Sequence, residues 1–229
     1  MTLPLRQILS TMCWRACLFL AAVLFAASGT ASPTWARDMP GQFDFYVLSL
    51  SWSPTHCEAL GQRAAKEAQC SRSRPYGFVV HGLWPQHERG FPESCQVPPP
   101  YVRNDVLRTV EGVIPSRGLA IHQWKKHGTC SGLNAREYFD TLRAARNKVV
   151  IPPQFVGLRD YRMASPAEVE AAFLASNPGL RHDMISVTCD RRRLREVRIC
   201  FSRNLGFRSC PDVDRRSCNL SKMVLPPLR

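Results

Sequence analysis

Apolar residues alternate with small or polar ones from Phe43 to Trp52 (FDFYVLSLSW), the two-residue period of a strand entering a core, and Ser53-Pro54 ends the run. Tyr76 to Val80 is a second buried strand that leads directly into His81-Gly82-Leu83-Trp84-Pro85. Between the two, Glu58 to Ala68 reads as a short helix flanked by Cys57 and Cys70. Proline, glycine and polar residues dominate from Gln86 to Pro100, the composition of a long surface loop. Ile121 to His127 is predicted helical and is stopped by Gly128 and Thr129. Asn134 is placed to cap the next helix, in which Tyr138, Phe139, Leu142, Ala145 and Val149 recur at helical spacing. Ser165-Pro166-Ala167-Glu168 is a capping box with proline at the first helical position. The helix it opens carries Val169, Ala172 and Phe173 on one face and stops at Asn177-Pro178-Gly179. Met184 to Thr188 and Val197 to Phe201 alternate again as strands, joined by the basic turn Arg191 to Arg193. Two strands, then helices, then two strands predict an α+β domain: a central antiparallel sheet with helices packed on one side.

The amino terminus stands outside that pattern. Arg6 and Arg15 precede an apolar run from Ala16 to Ala27, no acidic residue comes before Asp38, and small residues follow at Ser28 to Ala31 and at Thr34-Trp35-Ala36. This is the layout of a secretory signal peptide over residues 1–36, with cleavage expected after Ala31 or Ala36. The run is short of the roughly 20 residues a spanning helix needs, so no membrane span is expected once the leader is removed. Residues 37–229 then suit a single domain, with no repeat or low-complexity tract, secreted or periplasmic and expected to be a monomer.

Cysteine usage agrees with export. Beyond Cys13 and Cys17 of the leader, eight remain: Cys57, Cys70, Cys95, Cys130, Cys189, Cys200, Cys210 and Cys218. An even number in an exported chain reads as a disulfide framework, although the pairing among eight is open on these grounds. Zinc is disfavoured because no Cys-x-x-Cys pair occurs. The formal charge of +13 falls to +11 when Arg6 and Arg15 leave with the leader. Such an excess favours polyanionic partners without identifying them.

Two groups of histidines change the picture. His81 follows a buried strand and precedes Gly82, where a backbone can approach a ligand closely; His122 and His127 share one short segment with Lys126 and Trp124. On a helix His122 and Lys126 are four apart, as are Gln123 and His127, so these four form one patch while Trp124 anchors the helix in the core. Cleaving RNA without a metal needs a base for the 2′-hydroxyl, an acid for the leaving 5′-oxygen and cationic donors for the phosphoryl oxygens. Two histidines in opposite protonation states and a lysine supply all three. The nucleophile belongs to the substrate, so neither a cofactor nor a nucleophilic Ser or Cys is required. Taken singly, each histidine reads more readily as a core or capped side chain; for the group in a basic exported chain the two readings stand level. A zinc site is disfavoured because His122 and His127 are five apart and Lys126 between them repels a cation.

At these segments the sequence resembles the ribonuclease T2 family. Phe78-Val79-Val80-His81-Gly82-Leu83-Trp84-Pro85 is similar to its first active-site motif, and His122-Gln123-Trp124-Lys125-Lys126-His127-Gly128-Thr129-Cys130 to its second. The segment from Tyr46 to Cys57 and the late cysteine ladder extend the resemblance over nearly the whole mature chain. It implies an α+β fold and cleavage of single-stranded RNA to 2′,3′-cyclic phosphates and then 3′-phosphates. By the same resemblance His127 would be the general base and His81 the general acid, with His122 binding phosphate and Lys126 stabilising the pentacoordinate state. Trp84 would contribute base stacking, and Gln86 sits where relatives often read the base. The implied disulfides are Cys57–Cys70, Cys95–Cys130, Cys189–Cys218 and Cys200–Cys210. One departure stands out: the family motif usually has glutamate where this chain has Gln123. An amide can donate to a phosphoryl oxygen but carries neither proton nor charge, so reduced turnover or a shifted pH optimum is expected. The alternative is a catalytically weak, exported RNA-binding or cytotoxic protein of the same fold.

Overall fold

Strand β1 (Phe45–Trp52) is hydrogen-bonded along both edges, and its alternation divides the molecule. Tyr46, Leu48, Leu50 and Trp52 point into the main core, while Phe45 and Val47 belong to a smaller cluster. A computed structural model describes residues 38–71, 73 and 75–228; the leader expected over residues 1–36 lies outside them. Strand β1 pairs antiparallel with β2 (Phe78–Gln86) on one side and β5 (Leu194–Phe201) on the other, and β4 (Ile185–Cys189) completes the sheet in the order β2-β1-β5-β4. A separate two-stranded ribbon joins β3 (Arg162–Ala164) to β6 (Met223–Leu225). No helix among the described residues is long and apolar enough to cross a membrane.

The helices that fill the main core are α3 (Arg117–Lys126), α4 (Ala135–Asn147) and α5 (Pro166–Ser176), through Trp124, through Tyr138, Phe139 and Leu142, and through Val169 and Phe173. Burying such side chains contributes roughly 2 kcal/mol each. The expected caps are present. Asn134 accepts from the Glu137 amide at 3.0 Å, Ser165 accepts from the Glu168 amide at 3.1 Å, and both glutamates reach back to complete the boxes. Two further short helices, α2 (Asn104–Arg108) and α6 (Pro211–Asp214), lie in the connections.

Several expected elements are displaced. The helix expected over Ile121–His127 begins earlier, at Arg117, and the strand expected over Val197–Phe201 begins earlier, at Leu194. The helix expected over Glu58–Ala68 begins earlier, as α1 (Ser53–Leu60), and gives way at Gly61 to 3₁₀ turns over Gly61–Lys66 and Ala68–Cys70. Pro54 suits a first helical turn, where no N–H is needed, and Gly61 takes φ of 55°, a value only glycine adopts without strain. The second strand does not stop at Val80 but continues as β2 through Gln86, so the first histidine motif lies within it. Pro85 is tolerated there because β2 is an edge strand. Its outer edge is covered locally: the Val80 amide donates to Val113 O at 3.2 Å, and Tyr138 Oη donates to Leu83 O at 2.8 Å.

The register of β1 and β2 slips once. Ser49 faces Gly82 while Leu50 faces Val80, leaving His81 as the extra residue of a bulge. Because of that slip Val80 and Leu83, three apart, are both wholly buried in the main core.

The four disulfides are Cys57–Cys70, Cys95–Cys130, Cys189–Cys218 and Cys200–Cys210, the pairing the resemblance implies. Cys95–Cys130 closes a separation of 35 residues and pins the loop after β2 to the segment after α3. A hydrogen bond from the Ser94 amide to Lys126 O at 2.8 Å reinforces that tie. Replacing both Cys95 and Cys130 by Ser is predicted to cost about 2–4 kcal/mol of stability, read from urea unfolding. An unchanged midpoint and slope would show that the loop is held without this bond.

Candidate active site

Every side chain singled out in the sequence as catalytic or substrate-binding lines one cavity of about 290 Å³: His81, Trp84, Gln86, His122, Gln123, Lys126 and His127. Two elements deliver them. The bulge turns His81 out of the ladder, and Trp84 follows from the same strand. Helix α3 supplies His122, Gln123 and Lys126 from its last turns, and His127 leaves the helix at φ −120° and ψ −44°.

Trp84 locks the two elements together. Its Nε1 donates to Gln123 Oε1 at 2.7 Å, and its ring lies 5.3 Å from that of His127 and 5.4 Å, edge-on, from that of His81. Gln123 is buried, its carbonyl is taken by Trp84, and its amide nitrogen remains as the donor. Gly82 lies directly beneath this bond. A β-carbon there would collide with both Gln123 Oε1 and Trp84 Nε1, which is why the motif needs glycine at this position.

The histidines occupy different surroundings. His127 is buried, and its Nδ1 has no hydrogen-bond partner among the described residues. Burial first, and then the charges of Lys126, His81 and His122, push it down to about 3. It is therefore neutral in weakly acidic and neutral solution. His81 is one-third exposed, and its Nδ1 lies 2.6 Å from Glu196 Oε1. His122 is exposed. Lys126 pairs with Glu93 at 3.2 Å, and both side chains are well solvated, so an incoming anion displaces the pair at little cost. Within helix α3, Lys126 and His122 share a face, as the four-residue spacing requires.

Sequence reasoning missed several lining residues: Phe91, Arg195, Glu196, Arg198 and Arg216. Phe91 comes from the presumed surface loop, is 43% exposed and sits 6.2 Å from the His127 ring. Glu196 and Arg198 come from β5, of which the sequence pattern predicts only Val197–Phe201 as strand, leaving Glu196 outside it. The available signal was a glutamate placed among buried positions of the strand Leu194–Phe201. A second cavity of about 360 Å³ lies on the other side of His81, lined by Ser51, His56, Gln69, Leu119 and Asp190 and sharing His81, Arg195 and Glu196 with the first. A larger cavity of about 520 Å³ between Tyr76 and the Cys57–Cys70 disulfide contains no histidine, and its Glu58 is engaged by Arg193 and Tyr161. Among the described residues no group of three His, Cys, Asp or Glu side chains is arranged to hold a metal ion.

Known proteins resemble the chain in sequence and in fold. Residues 43–210 match the model of the ribonuclease T2 family. A ribonuclease of Aeromonas hydrophila is 36% identical over 182 residues, covering 76% of this chain and 78% of its own. Among solved structures, an RNase-related protein from Calystegia sepium shares the fold at a TM-score of 0.63 and 23% identity, covering 80% of this chain and 97% of that one. RNase NT, solved in complex with 5′-AMP, aligns at a TM-score of 0.61 and 25% identity over 81% of this chain and 98% of that one.

Gly82→Ala is predicted to break the Trp84–Gln123 bond while the sheet still forms. The expected result is a loss of about 10²-fold in kcat/KM on an RNA substrate, with the circular-dichroism spectrum of the parent. Parental activity in the variant would mean that the Trp84–Gln123 contact does not hold the cavity in its working shape.

Proposed function

The chain belongs to the ribonuclease T2 family and is an enzyme of that type; from that premise we propose that it cleaves single-stranded RNA without a metal, by attack of the 2′-hydroxyl on the adjacent phosphodiester. The observation that carries this reading is the contrast between two histidines on one cavity, His127 buried and neutral and His81 bonded to a carboxylate.

In the first step neutral His127 takes the proton of the 2′-hydroxyl, and the 2′-oxygen forms its bond to phosphorus. The bond from phosphorus to the 5′-oxygen breaks as His81 Nε2 gives that oxygen its proton. The products are a 2′,3′-cyclic phosphate and a free 5′-hydroxyl. Lys126, His122 and the Gln123 amide donate to the phosphoryl oxygens, where charge accumulates. In the second step the roles reverse: His81 takes a proton from water, the water oxygen attacks phosphorus, and His127 returns its proton to the departing 2′-oxygen. A 3′-phosphate results.

Cavities on both sides of His81 give the two flanking nucleotides a place, and bases must be unstacked to enter them, which favours single strands. Phe91 and the accessible part of Trp84 offer aromatic faces, with Gln86 within the same cavity. The 5′-AMP bound by the relative RNase NT is a ligand of the same class. Four disulfides suit an oxidising compartment, in keeping with an exported enzyme.

The test is cleavage of a short RNA and its DNA counterpart in excess EDTA, with products identified by mass. RNA alone is expected to be cut, with cyclic-phosphate ends, and His127→Ala is expected to lose about 10²–10⁴-fold. Cleavage of DNA, or cleavage only without EDTA, overturns the mechanism; RNA binding without cleavage would favour the inactive alternative. A second outcome concerns pH. Since His127 in the free protein is depressed to about 3, it is almost wholly neutral once the pH stands well above that value. The acidic limb of kcat/KM is therefore predicted to lie below pH ~5, well under the ordinary histidine value of about 6.5. An acidic limb near that ordinary value would remove His127 from the role of base.

A further inference from the structure

Among the described residues, the active-site cavity is lined by a single carboxylate, and it comes from strand β5 rather than from helix α3. Glu196 is 4% exposed, yet both its oxygens are satisfied. Oε1 is 2.6 Å from His81 Nδ1, and Oε2 accepts from Arg198 Nε at 3.0 Å and Nη2 at 2.7 Å. The Arg198 guanidinium in turn lies 5.2 Å from the centre of the Trp84 ring. A buried carboxylate is costly unless paired in this way, and here the pairing ends on a candidate catalytic side chain.

We propose that Glu196, clamped by Arg198, is the positioning residue for His81: it fixes the ring with its Nδ1 hydrogen on the carboxylate and its Nε2 presented to the leaving 5′-oxygen. This rests on the reading of His81 as the acid. His81 is the unpaired residue of the bulge, so its side chain needs a tether of its own. Burial raises the carboxyl of Glu196, but the hydrogen bond from His81 and the charge of Arg198 outweigh that and bring it down to about 2. It is therefore ionised wherever the enzyme is assayed, and an ionised carboxylate only accepts, which places the hydrogen on Nδ1. The other groups lining the two cavities that His81 joins are His56 from α1, His122, Lys126 and His127 from the α3 segment, Arg195 and Arg198 from β5, Arg216 after α6, and Asp190 after β4. Most of these are cationic or become so, and Glu196 is the carboxylate hydrogen-bonded to the ring.

Two substrates separate this role from a merely structural one. A dinucleoside phosphate expels an alkoxide that needs a proton; a nucleoside 3′-(4-nitrophenyl phosphate) expels a phenolate that does not. Glu196→Gln is expected to lower kcat on the dinucleotide roughly 10- to 100-fold with little change in KM. Its loss on the nitrophenyl ester is expected to be about tenfold smaller, in line with the general acid's contribution. His81→Ala is the control and is expected to show the same contrast between substrates. Equal losses on both substrates in His81→Ala overturn the assignment of the acid. That contrast in His81→Ala, with equal losses or none in Glu196→Gln, overturns the role given to Glu196. If Glu196→Gln does not fold, the ¹⁵N spectrum of the imidazoles in the parent protein decides. Titration at His81 Nε2 with Nδ1 always protonated supports the role, and titration at Nδ1 overturns it.

Discussion

Between its pairings with Leu48 and Leu50, strand β2 holds one residue more than β1 can match, and the chemistry is organised around that mismatch. In an even ladder Val80 and Leu83 would fall on opposite faces, one of them taken from the core. The bulge keeps both buried and leaves His81 outside the pairing, with Gly82 facing Ser49 and Trp84 facing Val47. The core's demand for Val80 and Leu83 thus fixes where the imidazole emerges. Tyr138 then closes the relation from the other side, buried in α4 and bonded to Leu83 O within the bulged strand. Burial pushes its hydroxyl far up, so it remains a neutral donor.

Once β2 and α3 are packed together, two imidazoles a short distance apart are given opposite characters by ordinary means. His127 is buried beside Lys126 with no acceptor for Nδ1, and each of these disfavours its charged form. His81 is more exposed and bonded to a carboxylate that is itself held by an arginine. The difference comes from neighbours contributed by separate elements, since both residues are the same amino acid. Arginines 195, 198 and 216 add positive field around the cavity, which suits a polyanionic substrate and makes its capture sensitive to salt.

The loop after β2 shows how the covalent framework serves the same end. Cys95–Cys130 and the Ser94–Lys126 hydrogen bond fasten it against the carboxyl end of α3. Glu93 and Phe91, just before that anchor, reach Lys126 and His127. A segment with little regular structure thereby contributes a displaceable counterion and an aromatic face at defined positions.

Local patterns in the chain were enough for the four strands of the main sheet, the capping boxes at Asn134 and Ser165, and the patch on α3, because alternation, caps and helical spacing depend only on near neighbours; the short β3–β6 ribbon left no such pattern. They also brought out His81, His122, Gln123, Lys126 and His127, while Trp84 and Gln86 came from the family resemblance. They misplaced several boundaries, among them those of α1 and β2, where a first helical turn accommodates Pro54 and an edge strand accommodates Pro85. The pairing of the cysteines came from family resemblance, not from spacing. Glu196 and Arg198 were invisible as site residues because their meaning depends on β5 lying beside β1, across which Glu196 reaches a histidine 115 positions earlier. Sequence alone therefore singled out candidate side chains that gather on one cavity. The tertiary structure decided which histidine is kept neutral and which is held by a carboxylate, because burial and charge at a site are sums over residues far apart in the chain.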